Sequence, residues 1–203
     1  LQAIEAAETD ERIKGIYINA MGTGSASADL LEELREAITH FKESGKFVVS
    51  YADVYSQWVY YLSSVADKVY TQPEGTFSFT GLSISTMFYK GLIDKLGVEV
   101  DILRPTVCKY KSAVEPFFLD KMSDANRAQM QAMADGMWGV LTEAVSASRG
   151  VSVEELNRLA DELAISLPKD ALEHKLIDGL KYQDEMEQLF KDEYGIEDLN
   201  FIS

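Results

Sequence analysis

The sequence predicts an α/β fold in which a largely parallel sheet is covered by helices. In the first half of the chain, short runs of β-branched and aromatic residues alternate with segments whose apolar residues recur about every 3.6 positions. Strands that alternate with helices are typical of βαβ crossovers, which make neighbouring strands parallel. A length of 203 residues with 46% hydrophobic residues allows one sizeable core. We therefore predict a single domain over residues 1–203.

The first two elements are a strand and an amphipathic helix. Ile13 to Asn19 form a short β-branched run that precedes a glycine-containing loop. The helix that follows has an apolar face made of Leu30, Leu31, Leu34, Ala37, Ile38 and Phe41. Ser27 or Asp29 can cap its start, and Gly45 can end it.

The same alternation continues along the chain and then gives way to helices. Further strands are predicted at 47–51, 68–71 and 98–104, and further helices at 56–64 and at 86–96. A long helix is predicted from Ser123 to Gly150. Ser152 and Glu155 have the spacing of a capping box for the next helix.

The charge of the chain excludes one class of partner. Lysine and arginine number 19 against 34 acidic residues, which gives a net charge of −15. Such a charge repels phosphate backbones and anionic lipid headgroups, so we exclude nucleic acid as a partner. The single cysteine, Cys108, cannot form an internal disulfide and gives no information on the cellular compartment.

The ends of the chain suggest that a targeting segment was left out. The sequence contains no apolar stretch of the roughly 18 to 20 residues that a membrane-spanning helix needs. It begins without Met, directly in a helical pattern, and its first residues carry no basic region of a secretory signal. We therefore expect a soluble fragment of a longer protein.

Two lysines in an unusual setting indicate the chemistry. Between Thr106 and Leu119, where a strand is predicted to end, Lys109 and Lys111 lie among apolar side chains, and Glu115 is the one acid. Sites of parallel α/β proteins usually lie at such strand ends. Burial lowers the pKa of a lysine from about 10.4 toward about 7 to 8, and the neutral amine can then deprotonate a serine. The two histidines, His40 and His174, lie in patterns that do not suggest a histidine-based triad.

The segment from Tyr110 to Phe117 (YKSAVEPF) resembles the lysine motif of long-form signal peptide peptidases, the protease IV family. The segments that agree with the family in order are Tyr60 to Tyr70, Gly91 to Leu96 and Ala171 to Leu180. The resemblance covers the chain from about Ile13 to Phe190 and implies a crotonase-like (Clp-protease-like) α/β domain. It places the general base of a Ser/Lys dyad on Lys111 rather than on Lys109.

The resemblance also implies that the nucleophile is not in this chain. Short-form relatives carry it in an Ala-Ser-Gly-Gly-Tyr pattern, whereas the matching stretch here runs from Ser56 to Tyr60 (SQWVY). Gln57 fills the slot of the nucleophile, and Ser56, one residue away, is either a helix cap or a weaker alternative nucleophile. In long-form members the serine comes from a related downstream domain. The chain thus resembles the N-terminal, lysine-bearing half of such an enzyme.

Each candidate residue also has an ordinary structural explanation. Lys111 can be a surface lysine whose alkyl chain covers apolar groups. Ser112 can orient the amine or cap a turn, and Glu115 can support the site, form a salt bridge to a neighbouring subunit or be a loop carboxylate. Gly22 and Gly24, after the first strand, can supply oxyanion-hole amides or form a plain turn.

The resemblance implies partners and a location. Expected substrates are hydrophobic fragments of cleaved signal peptides, and the expected assembly is a ring-like homo-oligomer, a tetramer in the family. An N-terminal anchor absent from this sequence would hold it at the bacterial inner membrane, facing the periplasm or exterior. No metal or organic cofactor is expected. The alternatives are a non-catalytic oligomerisation domain of the same fold and a crotonase-like acyl-CoA enzyme.

Overall fold

A four-stranded parallel sheet organises the larger part of the molecule. In the computed structural model, which describes residues 1–19, 26–103 and 109–202, the strands have the order β1-β2-β3-β4. Their bounds are β1 Gly15–Asn19, β2 Phe47–Tyr55, β3 Lys68–Phe77 and β4 Gly179–Leu180. Each strand pairs in parallel with its neighbour. The predicted α/β fold with a parallel sheet is confirmed.

Helices lie before, between and after these strands. Before β3 they are α1 Gln2–Thr9, α2 Ala28–Glu43 and α3 Gln57–Ser63. After β3 they are α4 Lys90–Leu96, α5 Glu115–Phe118, α6 Asp124–Arg149, α7 Val153–Asp161, α8 Pro168–Glu173 and α9 Gln183–Tyr194. The described chain divides into two compact units, with Leu1–Gly81 and Leu141–Ser203 in unit 1 and Leu82–Val140 in unit 2. The prediction of a single domain over 1–203 stays a prediction.

An aromatic cluster covers one face of the sheet in unit 1. Its buried members come from β2, β3 and α9 and are Val49, Tyr51, Tyr70, Met186, Leu189 and Phe190. Tyr17 of β1 meets Phe190 edge to face, with 5.1 Å between the ring centroids. The cluster fixes α9 on the sheet through large buried rings, which contribute more to packing than most side chains.

Strand β3 is longer than predicted, because it continues past an irregularity in its pairing with β2. Ala52 pairs with Thr71, and the next matched pair is Val54 with Thr76, so residues 72–75 bulge out of the register. A Cβ atom at Gly75 would lie 2.4 Å from the Asp53 carbonyl oxygen, which is closer than any side chain permits. This bulge accommodates Pro73 and Gly75, the residues that made the strand appear to end at Thr71.

Several predicted helix ends are confirmed by local contacts. Ser27 Oγ accepts a hydrogen bond from Leu30 N at the start of α2. Gly97 ends α4 in the left-handed region with φ 65°. Ser152 Oγ accepts a hydrogen bond from Glu155 N, which is one half of the predicted capping box.

Two predictions in unit 2 are wrong. The helix predicted from residue 86 begins at Lys90, and residues 98–103 form no strand, whereas residue 104 lies outside the described residues. Val98 and Val100 are exposed there, with 52% and 41% of their surfaces accessible. The β-branched composition favoured a strand, but this segment has no partner strand among the described residues.

Candidate active site

Lys111 lies in a turn that leads into the short helix α5 of unit 2. Glu115 N donates a hydrogen bond to Ser112 O (2.9 Å), which closes a turn immediately after the lysine. Leu119 N then donates to Glu115 O (2.9 Å). Lys111 is therefore attached to a backbone segment with its own hydrogen bonds.

The side chain of Lys111 is exposed in this chain. The apolar side chains that the sequence placed around it do not enclose it, because Tyr110 and Phe117 are themselves 56% and 43% exposed. An apolar environment for the amine of Lys111 stays a prediction. Lys109 is also exposed, and its Nζ lies 5.5 Å from the centroid of the Tyr110 ring.

Glu115 is buried and hydrogen-bonded to the beginning of α6. Its Oε1 accepts from Ser123 Oγ (2.6 Å), and its Oε2 accepts from Ser123 N (3.2 Å) and from Asn126 Nδ2 (3.0 Å). Only 2% of Glu115 is accessible. It is therefore not an exposed loop carboxylate, and its carboxylate belongs to the architecture of unit 2.

The short helix α5, which follows the Lys111 turn, is also bound to Tyr89, the residue before α4. Tyr89 N donates to Pro116 O (2.7 Å), and the rings of Tyr89 and Phe117 stack with 6.0 Å between their centroids. Ser112 is half-buried, and its carbonyl oxygen closes the turn. Its role in orienting the amine stays a prediction.

Gln57, which the resemblance assigns to the position of the nucleophile, holds the loop after β3 through its side-chain amide. Its Oε1 accepts from Thr80 N (2.6 Å) and Gly81 N (2.8 Å), and its Nε2 donates to Gly81 O (2.9 Å). Ser56 Oγ accepts from Val59 N (3.3 Å) and caps α3, as the structural alternative predicted. Both side chains thus have structural partners within unit 1.

Of the remaining candidate groups, the structure describes only the two histidines. Gly22 and Gly24 lie outside the described residues, as does Cys108. The imidazoles face carboxylates, with His40 Nδ1 3.1 Å from Glu8 and His174 Nδ1 3.7 Å from Glu155.

Across the described ranges, no three His, Cys, Asp or Glu side chains are grouped as a metal site would require. Within the same ranges, no helix has the length and apolar character for a membrane crossing.

Sequence reasoning missed two polar groups that the structure brings into buried positions. Asn126, the partner of Glu115, gave no signal, because its spacing from Ser123 is that of an ordinary first helical turn. Arg35 did give a signal, because it lies between Leu31 and Ile38 on the apolar face of α2. An arginine at such a position indicates a buried polar network.

Comparison with known proteins identifies the family. The model of peptidase family S49 matches residues 40–197. The chain is 40% identical over 154 residues to protease 4 of Haemophilus influenzae, covering 76% of this chain and 25% of that protein. It is 33% identical over 202 residues to protease 4 of Salmonella typhi, covering 96% of this chain and 32% of that protein. A chloroplastic serine protease SPPA of Arabidopsis thaliana is 28% identical over 188 residues, which are 93% of this chain and 27% of that protein.

The chain thus spans a quarter to a third of the length of these relatives. The parallel α/β fold agrees with the Clp-protease-like class that the resemblance implied, and the match to a peptidase family disfavours the acyl-CoA alternative. The chain belongs to peptidase family S49 and is related in sequence to protease 4 of these bacteria.

Proposed function

We propose that this chain is the N-terminal, lysine-donating half of a two-domain S49 peptidase, in which Lys111 is the general base for a serine supplied by a downstream domain. The observation that carries the proposal is the setting of Lys111, an exposed lysine on a turn whose neighbouring residues are held by buried hydrogen bonds. A base on such a turn is accessible to a nucleophile from another domain. Ser112 and Glu115 support it.

The structural role of Gln57 agrees with a site whose lysine and serine come from different domains. Its amide is hydrogen-bonded to Thr80 and Gly81. The position that the serine occupies in short-form relatives therefore holds a residue that stabilises the loop after β3. Ser56 is engaged as a helix cap. The relatives are three to four times as long as the stretch they share with this chain, which leaves room for a second domain.

The exposure of Lys111 sets a requirement on the assembly. A lysine in water stays charged at neutral pH and cannot accept a proton. The second domain or a neighbouring copy must therefore exclude water from the amine when the site is assembled, so that the neutral form can act as the base. We propose that the isolated chain is inactive for this reason.

The proposed mechanism follows from these groups. The neutral amine of Lys111 accepts the proton of the serine hydroxyl as the oxygen attacks the peptide carbonyl, and the resulting ammonium then protonates the leaving amine. Proposed substrates are hydrophobic remnants of signal peptides. The proposed setting is a ring-like homo-oligomer, of tetrameric size, anchored at the bacterial inner membrane and facing the periplasm or exterior.

The test replaces each of the two neighbouring lysines in the full-length parent enzyme. We expect Lys111→Ala to lower kcat by about 10²- to 10⁴-fold with little change in KM, because a general base acts in the transition state. Lys109→Ala is the matched control, since Lys109 is also exposed and lies two residues away, and it should keep kcat within about twofold.

The contrary result is also informative. If Lys111→Ala retains normal turnover while the oligomer stays intact by size-exclusion chromatography, Lys111 is not the base. The domain would then have the non-catalytic assembly role instead.

A further inference from the structure

We propose that Glu115, Ser123 and Asn126 form a positioning network that fixes the turn carrying Lys111 to the first turn of α6. The proposal rests on the proposed function of Lys111 and names residues that act through it. Neither Ser123 nor Asn126 belongs to the lysine motif.

The network begins with the Glu115 carboxylate. Among the described residues, it accepts two hydrogen bonds from Ser123 and one from Asn126, at distances from 2.6 to 3.2 Å. Burial of an ionised carboxylate is costly unless hydrogen bonds compensate it, and bonds to a charged acceptor are the strong ones. The three donors therefore determine where Glu115 lies.

Ser123 connects this carboxylate to the helix. Its Oγ donates to Glu115 and at the same time accepts from Asn126 N (3.2 Å), so the same hydroxyl caps α6 and binds the turn. The Glu115 amide closes the turn at Ser112, one residue after the lysine. An unbroken path of hydrogen bonds and short backbone segments therefore leads from α6 to Lys111.

The composition of unit 2 gives this network its significance. Among the described residues of unit 2, 82–103 and 109–140, only Glu115 and Asn126 are buried. Both are polar, so the best-buried groups of the unit form a hydrogen-bonded pair instead of an apolar core. Buried polar groups are a weak source of stability but can specify one arrangement over others.

The pair also retains an unused acceptor. Asn126 Oδ1 is buried and accepts no hydrogen bond in the described part of the chain. Buried polar atoms without a partner are uncommon in folded proteins. The other atom of this amide, Nδ2, is the donor to Glu115.

The role in catalysis follows from the precision that proton transfer needs. A misplacement of about 1 Å at a catalytic group can cost about 10²-fold in rate. Without the Glu115 carboxylate, the turn keeps its backbone bond at Ser112 but loses its attachment to α6. The lysine would then sample more positions relative to the serine of the second domain.

The experiment uses the full-length parent enzyme with two substitutions at Glu115. We expect Glu115→Ala to lower kcat by about 10- to 100-fold with KM within about twofold. Glu115→Gln should restore most of the activity, because its carboxamide oxygen can accept from Ser123 N and Asn126 Nδ2 while its nitrogen donates to Ser123 Oγ. If the Gln variant is as slow as the Ala variant, the hydrogen bonds to Ser123 and Asn126 do not determine the rate, and the proposal is overturned.

Two serine caps provide a matched control. Ser123 Oγ and Ser152 Oγ each accept the cap hydrogen bond of a helix at 3.2 Å, but only Ser123 also donates to Glu115. Both substitutions remove a helix cap and should lower stability by similar amounts. Ser123→Ala should also lower kcat, whereas Ser152→Ala should leave kcat per folded molecule unchanged. Equal kcat values for the two variants would mean that Ser123 is merely a cap, and would contradict the proposal.

The Lys111→Ala variant separates this inference from the proposed function. If Lys111→Ala is inactive and the Glu115 variants are normal, the lysine is the base and the positioning network fails. If Lys111→Ala is active, the proposed function itself fails. Should Glu115→Ala not fold, the comparison of Glu115→Gln with Ser123→Ala and Ser152→Ala still decides.

Discussion

The side-chain amide of Gln57 binds the backbone of Gly81 in both directions. Its Nε2 donates to Gly81 O at 2.9 Å, and its Oε1 accepts from Gly81 N at 2.8 Å. Gly81 has φ 81°, a conformation that favours glycine. One amide therefore holds a left-handed residue in place at the end of the loop after β3. The side chain of Gln57 therefore has a structural role in unit 1.

Removal of this amide should destabilise unit 1. Gln57→Ala loses three hydrogen bonds to Thr80 and Gly81, and we expect the free energy of unfolding to fall by about 1 to 3 kcal/mol. Gln188→Ala is the control, because Gln188 makes one exposed bond to Asp192 within α9, and it should change stability by less than about 0.5 kcal/mol. Urea unfolding followed by circular dichroism measures both variants. Equal losses would show that the Gln57 amide contributes nothing specific.

The isolated chain should not react with a serine-directed fluorophosphonate. Ser56 is the alternative nucleophile, but its Oγ accepts the cap hydrogen bond from Val59 N, and no basic side chain is bonded to it in the described ranges. A hydroxyl without a base is not activated for attack. The parent enzyme should label at a serine outside this chain, as the positive control. A labelled peptide containing Ser56 would place a nucleophile in this chain and contradict the split site.

Local sequence signals predicted the first half of the fold well because they depend on neighbouring residues. Ser27 and Ser123 were read as helix starts, and both accept a hydrogen bond from a backbone amide three residues later. The parallel order followed from the alternation of strands and helices.

The signals failed where distant contacts decide the outcome. Gly75 and its neighbours looked like the end of a strand, but the close approach of Asp53 O lets β3 continue past them. The exposure of Lys111 could not be predicted from its apolar neighbours, because burial depends on what packs over them. The partners of Glu115 lie 8 and 11 positions away, across a segment without a periodic pattern.

Replacement of Arg35 should destabilise unit 1. Its guanidinium donates to Tyr61 O, to Ser64 Oγ at 2.8 Å and to two acceptors on α6, Ala144 O at 2.8 Å and Ser148 Oγ. Burial lowers the pKa of this guanidinium, although it remains protonated at neutral pH. We expect Arg35→Met to reduce the free energy of unfolding by about 2 to 4 kcal/mol, since it removes all the hydrogen bonds that this buried guanidinium donates to α6 and to the residues around Ser64.

The control for Arg35 is an arginine of the surface. Arg12 pairs with Asp10 at 2.6 Å, but its side chain is 88% exposed, so Arg12→Met should hardly move the denaturation midpoint. Thermal unfolding of both variants gives the comparison. If Arg35→Met is as stable as the wild type, methionine packing replaces the network and the hydrogen bonds add no net stability.

Stability at acid pH should depend on Asp170. Its Oδ2 accepts from Leu167 N (2.8 Å) and Ser166 N (3.0 Å) at the start of α8, and these bonds lower the pKa of Asp170 below its ordinary value of about 3.8. Because the folded-state pKa is depressed, the stabilisation is fully present above about pH 4 and is lost as the pH falls through the folded pKa. Asp170→Asn should therefore lower stability at pH 7 and give a shallower decline below pH 4, measured by urea unfolding at pH 7, 5, 4 and 3. A constant difference between variant and wild type at all four pH values would mean that Asp170 titrates alike in the folded and unfolded chain.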